Sequence, residues 1–466
     1  MIDRLLGHRL FPGWLFDSGW RTWFFTRLLM VAVMLPFTDH GDLGDLRYYL
    51  SSFQHFGDGG WQGTLAEYPV PAVLVLIAPY AVMSLLGMAS ATLYVWIAIM
   101  VGAEALVMRI LRNSGSESAP VLWLVAIPAL GPLVYCRFDL LPGLFVGLSI
   151  LASGRAAKRA GVYAAIATAL KYSPVLMVPA LAAARWSRKQ VLLTVALAGG
   201  ALMAVTCVLG GTDRVMSPLR YQNDRGLQVE SVWATVVMMV RSIFPGRYWV
   251  GLAPSKSIEI AGPGVGTSLL VSKIATAVMI ALLVWLWVRA WRAGMPATNR
   301  LVWLSLCGVM AFIVSGKVLS PQYLAWLLPA AIIGVALLTG EERRHLRRWT
   351  IMLIVTCVVT HVVWPYAYTP VVHYRWGTPI ITAVLGVRNL LLMVLAGVAF
   401  AEGFRTTKPL PRLVVDPALA GSELGAVVPG IPGLRGHGGH QVPEATHEGR
   451  DQQPADHGVH GETAQQ

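Results

Sequence analysis

Residues 119–136 read APVLWLVAIPALGPLVYC, residues 137–139 read RFD, residues 140–153 read LLPGLFVGLSILAS and residues 154–159 read GRAAKR. Two apolar blocks are joined by a three-residue turn bearing one cation and one anion, and a basic loop closes them. About 17–25 consecutive apolar residues are enough to cross a bilayer as a helix. These blocks are continuous, whereas a barrel strand would alternate apolar and polar positions. Arginines and lysines between apolar blocks mark cytoplasmic loops. The GRAAKR loop is therefore expected inside and the RFD turn outside.

The same grammar extends in both directions. Apolar blocks are expected to span at 22–37, 89–111, 119–136, 139–153, 160–171, 173–185, 191–211, 267–289, 301–316, 323–339, 350–368 and 377–401. Basic clusters recur between them: Arg109/Arg112, Arg155/Lys158/Arg159, Arg185/Arg188/Lys189, Arg289/Arg292/Arg300 and Arg343/Arg344/Arg347/Arg348. The block at 68–87 is broken by Pro69, Pro71 and Pro79, and the charge pattern requires it to dip in without crossing. Such interrupted backbone is tolerated at membrane depth where protein covers it or a wet cavity adjoins it. The expected architecture is an all-α polytopic membrane protein of about twelve spans with both ends inside.

Composition agrees. Of 466 residues, 55% are hydrophobic and 13% charged, against about 25% charged in soluble domains. Mean hydropathy is +0.59. The net charge of +13 is scattered through short loops rather than gathered into a basic face, which argues against a nucleic-acid partner. Arg4, Arg9 and Arg21 precede the first block, and no small-residue cleavage site follows it, so an uncleaved anchor with a cytoplasmic segment 1–21 is expected. The stretch 402–466 is expected to be a disordered cytoplasmic tail. From Asp416 onward it is rich in Gly, Pro, His, Gln and Glu and cannot offset its ordering entropy. Four cysteines, Cys136, Cys207, Cys307 and Cys357, lie in or beside apolar blocks without the spacing of a zinc site or a disulfide framework.

The polar residues then gather on one expected face. Two long outer loops, 38–67 and 212–266, join three outer turns, Arg137–Asp139, Lys171–Pro174 and 317–323, and the segment 360–376. The first loop holds Asp39, Asp42, Asp45, Asp58 and Glu67. Carboxylates at a membrane boundary can take a proton from a hydroxyl nucleophile or hold a divalent cation. Asp45 opens DLRYY, which has the pattern of a short interfacial helix whose N-terminal dipole favours the ionised carboxylate. Arg137 and Asp139 are expected to pair across their turn. Arg214, Arg220, Arg225 and Arg247 are cations on the face that usually lacks them, and a lipid phosphate would account for them. Lys171 closes an apolar block at headgroup depth, where it either binds phosphate or snorkels. Arg388 falls inside the last block and needs a buried partner or a route to water. No P-loop, GxGxxG or HExxH motif is present.

These motifs in order, DLRYY (45–49), EYPVP (67–71), RFDLLP (137–142), ALKYSP (169–174), DRGLQVES (224–231) and LSPQYLAW (319–326), resemble glycosyltransferase family 87 of the GT-C superfamily over about residues 40–400. The resemblance implies a GT-C-like transmembrane domain at 22–401 and transfer of a sugar, often mannose, from a polyprenyl-phosphate donor to a lipid-linked or cell-envelope glycan outside the cell membrane. It implies Asp45 as catalytic base; Asp42, Glu67 and Asp139, carboxylates on the same expected face, are the candidates for a second acid. Lys171, Arg214, Arg220, Arg225 and Gln322 would then surround the donor phosphate. No resident cofactor or metal site is expected, although metal dependence is left open. Val70 stands where the family commonly has a second proline. The competing classes are a transporter or flippase for a lipid-linked saccharide, and a non-catalytic envelope scaffold.

Overall fold

In the computed structural model, residues 19–34, 44–294 and 297–407 are described. The expectations for Asp39, Asp42, the segment 1–18 and the chain beyond Thr407 lie outside them. The helices of eight residues or more are α1 (Gly19–Met34), α2 (Gly44–Gln54), α3 (Phe56–Gly63), α4 (Val70–Leu85), α5 (Thr92–Arg112), α6 (Ser118–Leu130), α7 (Leu140–Ser153) and α8 (Ala157–Leu170). They continue as α9 (Arg188–Gly210), α10 (Thr212–Asp224), α11 (Thr235–Ile243), α12 (Val265–Ala293), α13 (Thr298–Ser315), α14 (Leu324–Leu337), α15 (Gly340–His361) and α16 (Thr378–Thr406). Helix α16 thus carries five residues past the expected start of the tail at 402.

Among the described residues, six helices are long and apolar enough to cross a membrane: Ala89–Arg112, Arg188–Gly210, Val265–Ala293, Thr298–Ser315, Gly340–Tyr366 and Thr378–Thr406. The chain is an all-α membrane protein in its bulk. Shorter apolar helices, including α4, α6 and α7, fill the spaces between the long ones. Helix α4 has 16 residues, about 24 Å at the α-helical rise, less than the roughly 30 Å of a hydrocarbon core. The block expected as a span at 173–185 forms only a 3₁₀ turn, Ser173–Met177, and one α-turn, Val178–Leu181. Pro174 and Pro179 each sit in the first turn of those pieces, where a missing N–H is harmless but an N-terminal extension of the helix is blocked.

Helix direction follows from the contacts. The Arg112 guanidinium, at the end of α5, lies 5.9 Å from the Trp20 ring, at the start of α1. The two helices therefore run antiparallel. Helix α4 pairs with the opening turns of α5, where Trp96 Nε1 donates to Leu76 O at 2.9 Å. At the same end as Arg112 the basic loops are held by backbone carbonyls and by an acidic partner. Arg185 N donates to Gly294 O at 3.0 Å, Arg300 Nε to Thr406 O at 2.8 Å, and Arg405 pairs with Glu342 at 2.7 Å.

A close helix crossing sets the other end. A Cβ on Gly143 would fall 2.5 Å from Ala325 O, and one on Gly147 would fall 2.7 Å from the Ile333 side chain. These glycines, four apart on one face of α7, let its backbone lie against α14, as small residues do in membrane helix pairs. The crossing carries Asp139, just before α7, up to Trp326 near the start of α14.

The 212–266 segment is more ordered than a polar loop. Strands β1 (Leu227–Gln228), β2 (Trp249–Leu252) and β3 (Ile258–Ala261) form an antiparallel sheet in the order β1-β3-β2. Gln228 locks the sheet to the 317–319 turn: its N–H donates to Lys317 O at 3.1 Å and its Oε1 accepts from Leu319 N at 2.9 Å.

Candidate functional site

The two long loops, the three turns and the 360–376 segment converge on one cavity of about 230 Å³. Of the residues singled out in the sequence, Asp45, Glu67, Arg137, Lys171, Arg225 and Gln322 line it. Asp45 sits in the first turn of α2, the interfacial helix expected from DLRYY. Leu46, Tyr49 and Phe53 fasten that helix to the bundle as its buried stripe.

Asp45 does not stand alone. Arg137 Nη1 lies 2.8 Å from its Oδ2, and 28% of the Asp45 side chain remains exposed. Arg137 therefore pairs with Asp45, not with Asp139 as expected. The turn leaves Arg137 in extended backbone after Leu133–Cys136 and Asp139 in helical backbone before α7, and the two side chains find different partners. Burial pushes the Asp45 carboxyl above its ordinary value, with Arg137 pulling the other way. Glu67 is likewise raised by burial and hydrogen-bonds the Tyr48 hydroxyl.

Asp139 is 1% exposed and lies behind the cavity wall. Its Oδ1 accepts from Lys171 Nζ at 3.0 Å and from Trp326 Nε1 at 2.8 Å. The Lys171 ammonium also sits 5.1–5.8 Å from the ring centres of Phe138, Tyr68, Trp326 and Tyr323. Lys171 thus turns inward into an aromatic cage closed by a carboxylate. It does not snorkel, and much of its charge is already answered.

The arginines of the second loop divide. Arg214 is buried, and its guanidinium donates to Trp61 O, Ala66 O, Thr64 O and Leu65 O at 2.8–3.1 Å. It holds the 61–66 turn, in which Leu65 adopts a positive φ of 48°, and so sets Glu67 and Tyr68 at the cavity. Its donors are spent on backbone. Arg220 is exposed, pairs with Asp213 at 2.9 Å and does not line the cavity. Arg225 does line it, and its contacts to Gln222 Oε1 and Ser255 O are long, 3.5 Å each.

The structure adds residues that sequence reading passed over: Glu230, which lay inside a quoted motif, Lys256 and the aromatics Tyr48, Tyr68, Tyr221, Trp364 and Tyr368. Lys256 stands in the β2–β3 turn at φ 57°, a left-handed conformation that costs a non-glycine residue about 1–2 kcal/mol. Neither Lys256 nor Arg225 has an acidic partner at ion-pair distance among the described residues. Gln322 is 7% exposed, and its Oε1 has no hydrogen-bond partner among the described residues. Glu230 meets Arg388 at 3.2 Å, the two side chains being 2% and 0% exposed. Burial raises the Glu230 carboxyl, while Arg388 and the Tyr368 hydroxyl oppose it. Among the described residues no three His, Cys, Asp or Glu side chains group as a metal centre.

The cavity thus combines a partly exposed carboxylate, cations without acidic partners and aromatic faces. Such a lining can accept a proton, hold an anion and stack against a sugar ring. No protein-family model, curated protein or solved structure matches this chain.

Proposed function

We propose that the chain is a membrane glycosyltransferase, a GT-C-like bundle of about twelve spans. In this reading it moves a hexose, mannose by the family resemblance, from a polyprenyl-phosphate donor to a lipid-linked or envelope glycan on the extracytoplasmic face of the cell membrane. The observation that carries the reading is the joint presence of Asp45, Arg225 and Lys256 on one aromatic-lined cavity.

Asp45 takes the proton of an acceptor hydroxyl, whose oxygen bonds to the anomeric carbon of the donor sugar. The bond from that carbon to the phosphate oxygen breaks, and the electron pair leaves with the polyprenyl phosphate. The departing charge needs cations fixed in place beforehand. Arg137 and Lys171 are already paired with Asp45 and Asp139. Arg225 and Lys256 have no such partner, so they receive the phosphate, with the Gln322 amide beside them. Lys171 serves as a positioning residue for Tyr68, Tyr323 and Asp139.

The test is transfer by the purified full chain in lipid nanodiscs, supplied with labelled polyprenyl-phosphate mannose and membrane-lipid acceptors. Appearance of a labelled glycolipid that depends on Asp45 supports the reading. No labelled product from mannosyl, glucosyl or galactosyl donors overturns it.

A further inference from the structure

Arg388 is costly where it stands. It lies in α16, is 0% exposed, and its Nε and Nη1 have no hydrogen-bond partner among the described residues. Its Nη2 donates to Glu230 O at 3.0 Å and to Glu230 Oε2 at 3.2 Å. The neighbouring Asn389 Nδ2 donates to Ser231 O at 3.2 Å and to Thr235 Oγ1 at 2.7 Å. Two adjacent side chains of a membrane helix are thus committed to one short segment that runs from β1 into the first turn of α11. A buried pair with unanswered donors is a poor stabiliser, because apolar side chains of the same volume do as well or better.

The segment so held places Glu230 in the cavity wall, with 2% of its side chain exposed. Glu230 lines it beside Trp364 and Tyr368. Its known partners are Arg388 and the Tyr368 hydroxyl. An ionised carboxylate offers about four lone-pair sites, so acceptor capacity is left for a ligand. Sugars present that chemistry: neighbouring hydroxyls that donate to one carboxylate, and a C–H face that rests on aromatic rings. The position of a single hydroxyl separates one hexose from its epimer, and a site built to bond that hydroxyl rejects the wrong epimer strongly.

We infer that Glu230 accepts the ring hydroxyls of the transferred hexose and selects among epimers, and that Arg388 is its positioning residue. The inference rests on the glycosyltransferase reading of the same cavity. The alternative is a staple that only ties α16 to the sheet.

The experiment uses the full chain in lipid nanodiscs and reads the binding of methyl α-mannoside, methyl α-glucoside and methyl α-galactoside by saturation-transfer NMR. The wild type should prefer one of them by about tenfold or more, the scale of a hydrogen bond to a charged group. Glu230→Gln alone leaves Arg388 without a counter-charge and is expected to melt early. The double variant Glu230→Gln/Arg388→Met removes both charges, keeps the volumes and should melt near the wild type. It should nonetheless lose the epimer preference, to within about threefold. A well-folded double variant with the wild-type preference overturns the inference, as does a wild type that binds the hexosides without preference or not at all. Transfer from polyprenyl-phosphate hexoses is measured separately. Preference that depends on Glu230 without any transfer supports the subsite and removes the transferase reading. Transfer with preference untouched by the double variant does the reverse.

Discussion

Arg137 Nη1 lies 2.8 Å from Asp45 Oδ2, although its neighbour two residues on, Asp139, carries the opposite charge and faces Lys171 instead. The pairing joins a turn between two helices to an interfacial helix some ninety positions earlier in the chain. It holds the proposed base at the cavity while leaving part of its carboxylate exposed. Arg137 itself lies 5.6 Å from the Trp364 ring, which draws the 360–376 segment into the same wall.

Asp45→Asn preserves shape and removes basicity. Transfer should fall by roughly 10²-fold or more, the usual worth of general base catalysis, with expression retained. Near-normal turnover in this variant, measured with labelled donor, would exclude Asp45 as the base.

The activity should depend on pH through the same carboxylate. Asp45 must be ionised to take a proton, so kcat/KM falls as pH drops through its pKa. Burial has raised that pKa above the ordinary 3.8, which puts the acid limb above that of a free aspartate. Arg137→Met removes the positive charge that favours the ionised form. The limb should therefore move to still higher pH, and a pH–rate profile that stays put or moves down contradicts the assignment.

Lys171→Met should act mainly on stability. The change leaves the Asp139 carboxylate, 2% exposed, without its counter-charge, and breaking a buried pair in this way costs about 3–5 kcal/mol. Lys171→Met/Asp139→Asn should recover most of the loss in thermal unfolding. A Lys171→Met protein with wild-type melting and a donor KM raised about tenfold would instead return Lys171 to the phosphate site expected from sequence.

Arg225→Gln and Lys256→Gln should each lower kcat/KM for the lipid donor by about tenfold, the scale of one charge-assisted contact. Melting should change little, because neither side chain is held by an ion pair. Wild-type kinetics in both variants would remove the Arg225–Lys256 wall from the reaction.

Accessibility in intact cells tests the orientation. In a background lacking the four native cysteines, Lys256→Cys should react with a membrane-impermeant maleimide, while Lys189→Cys and Glu341→Cys should not. All three positions are exposed in the fold. The opposite pattern would put the cavity on the cytoplasmic side and end the reading of an extracytoplasmic lipid-phosphate site.

Membrane character, the position of α2 and the segments that meet at the cavity were all legible in the sequence. They depend on local quantities: the length of an apolar run, the spacing of Leu46, Tyr49 and Phe53, and the alternation of basic loops with turns. Proline also acts locally, yet its effect at 173–185 was missed, because composition alone does not reveal where a helix fails to start.

Charge pairing was not legible. Arg137 lies closer in sequence to Asp139 than to Asp45, and Lys171 has the composition of a helix-end anchor. Which partner each finds is decided by where Gly143 and Gly147 let α7 meet α14 and by how Arg214 folds the 61–66 turn. The sequence required a partner for Arg388 but could not name Glu230, which is 158 positions away. Coulomb attraction acts through space. The sequence alone therefore determined which residues carry charge and roughly at which end of the bundle, and the tertiary structure alone decided which charges cancel and which remain for a ligand.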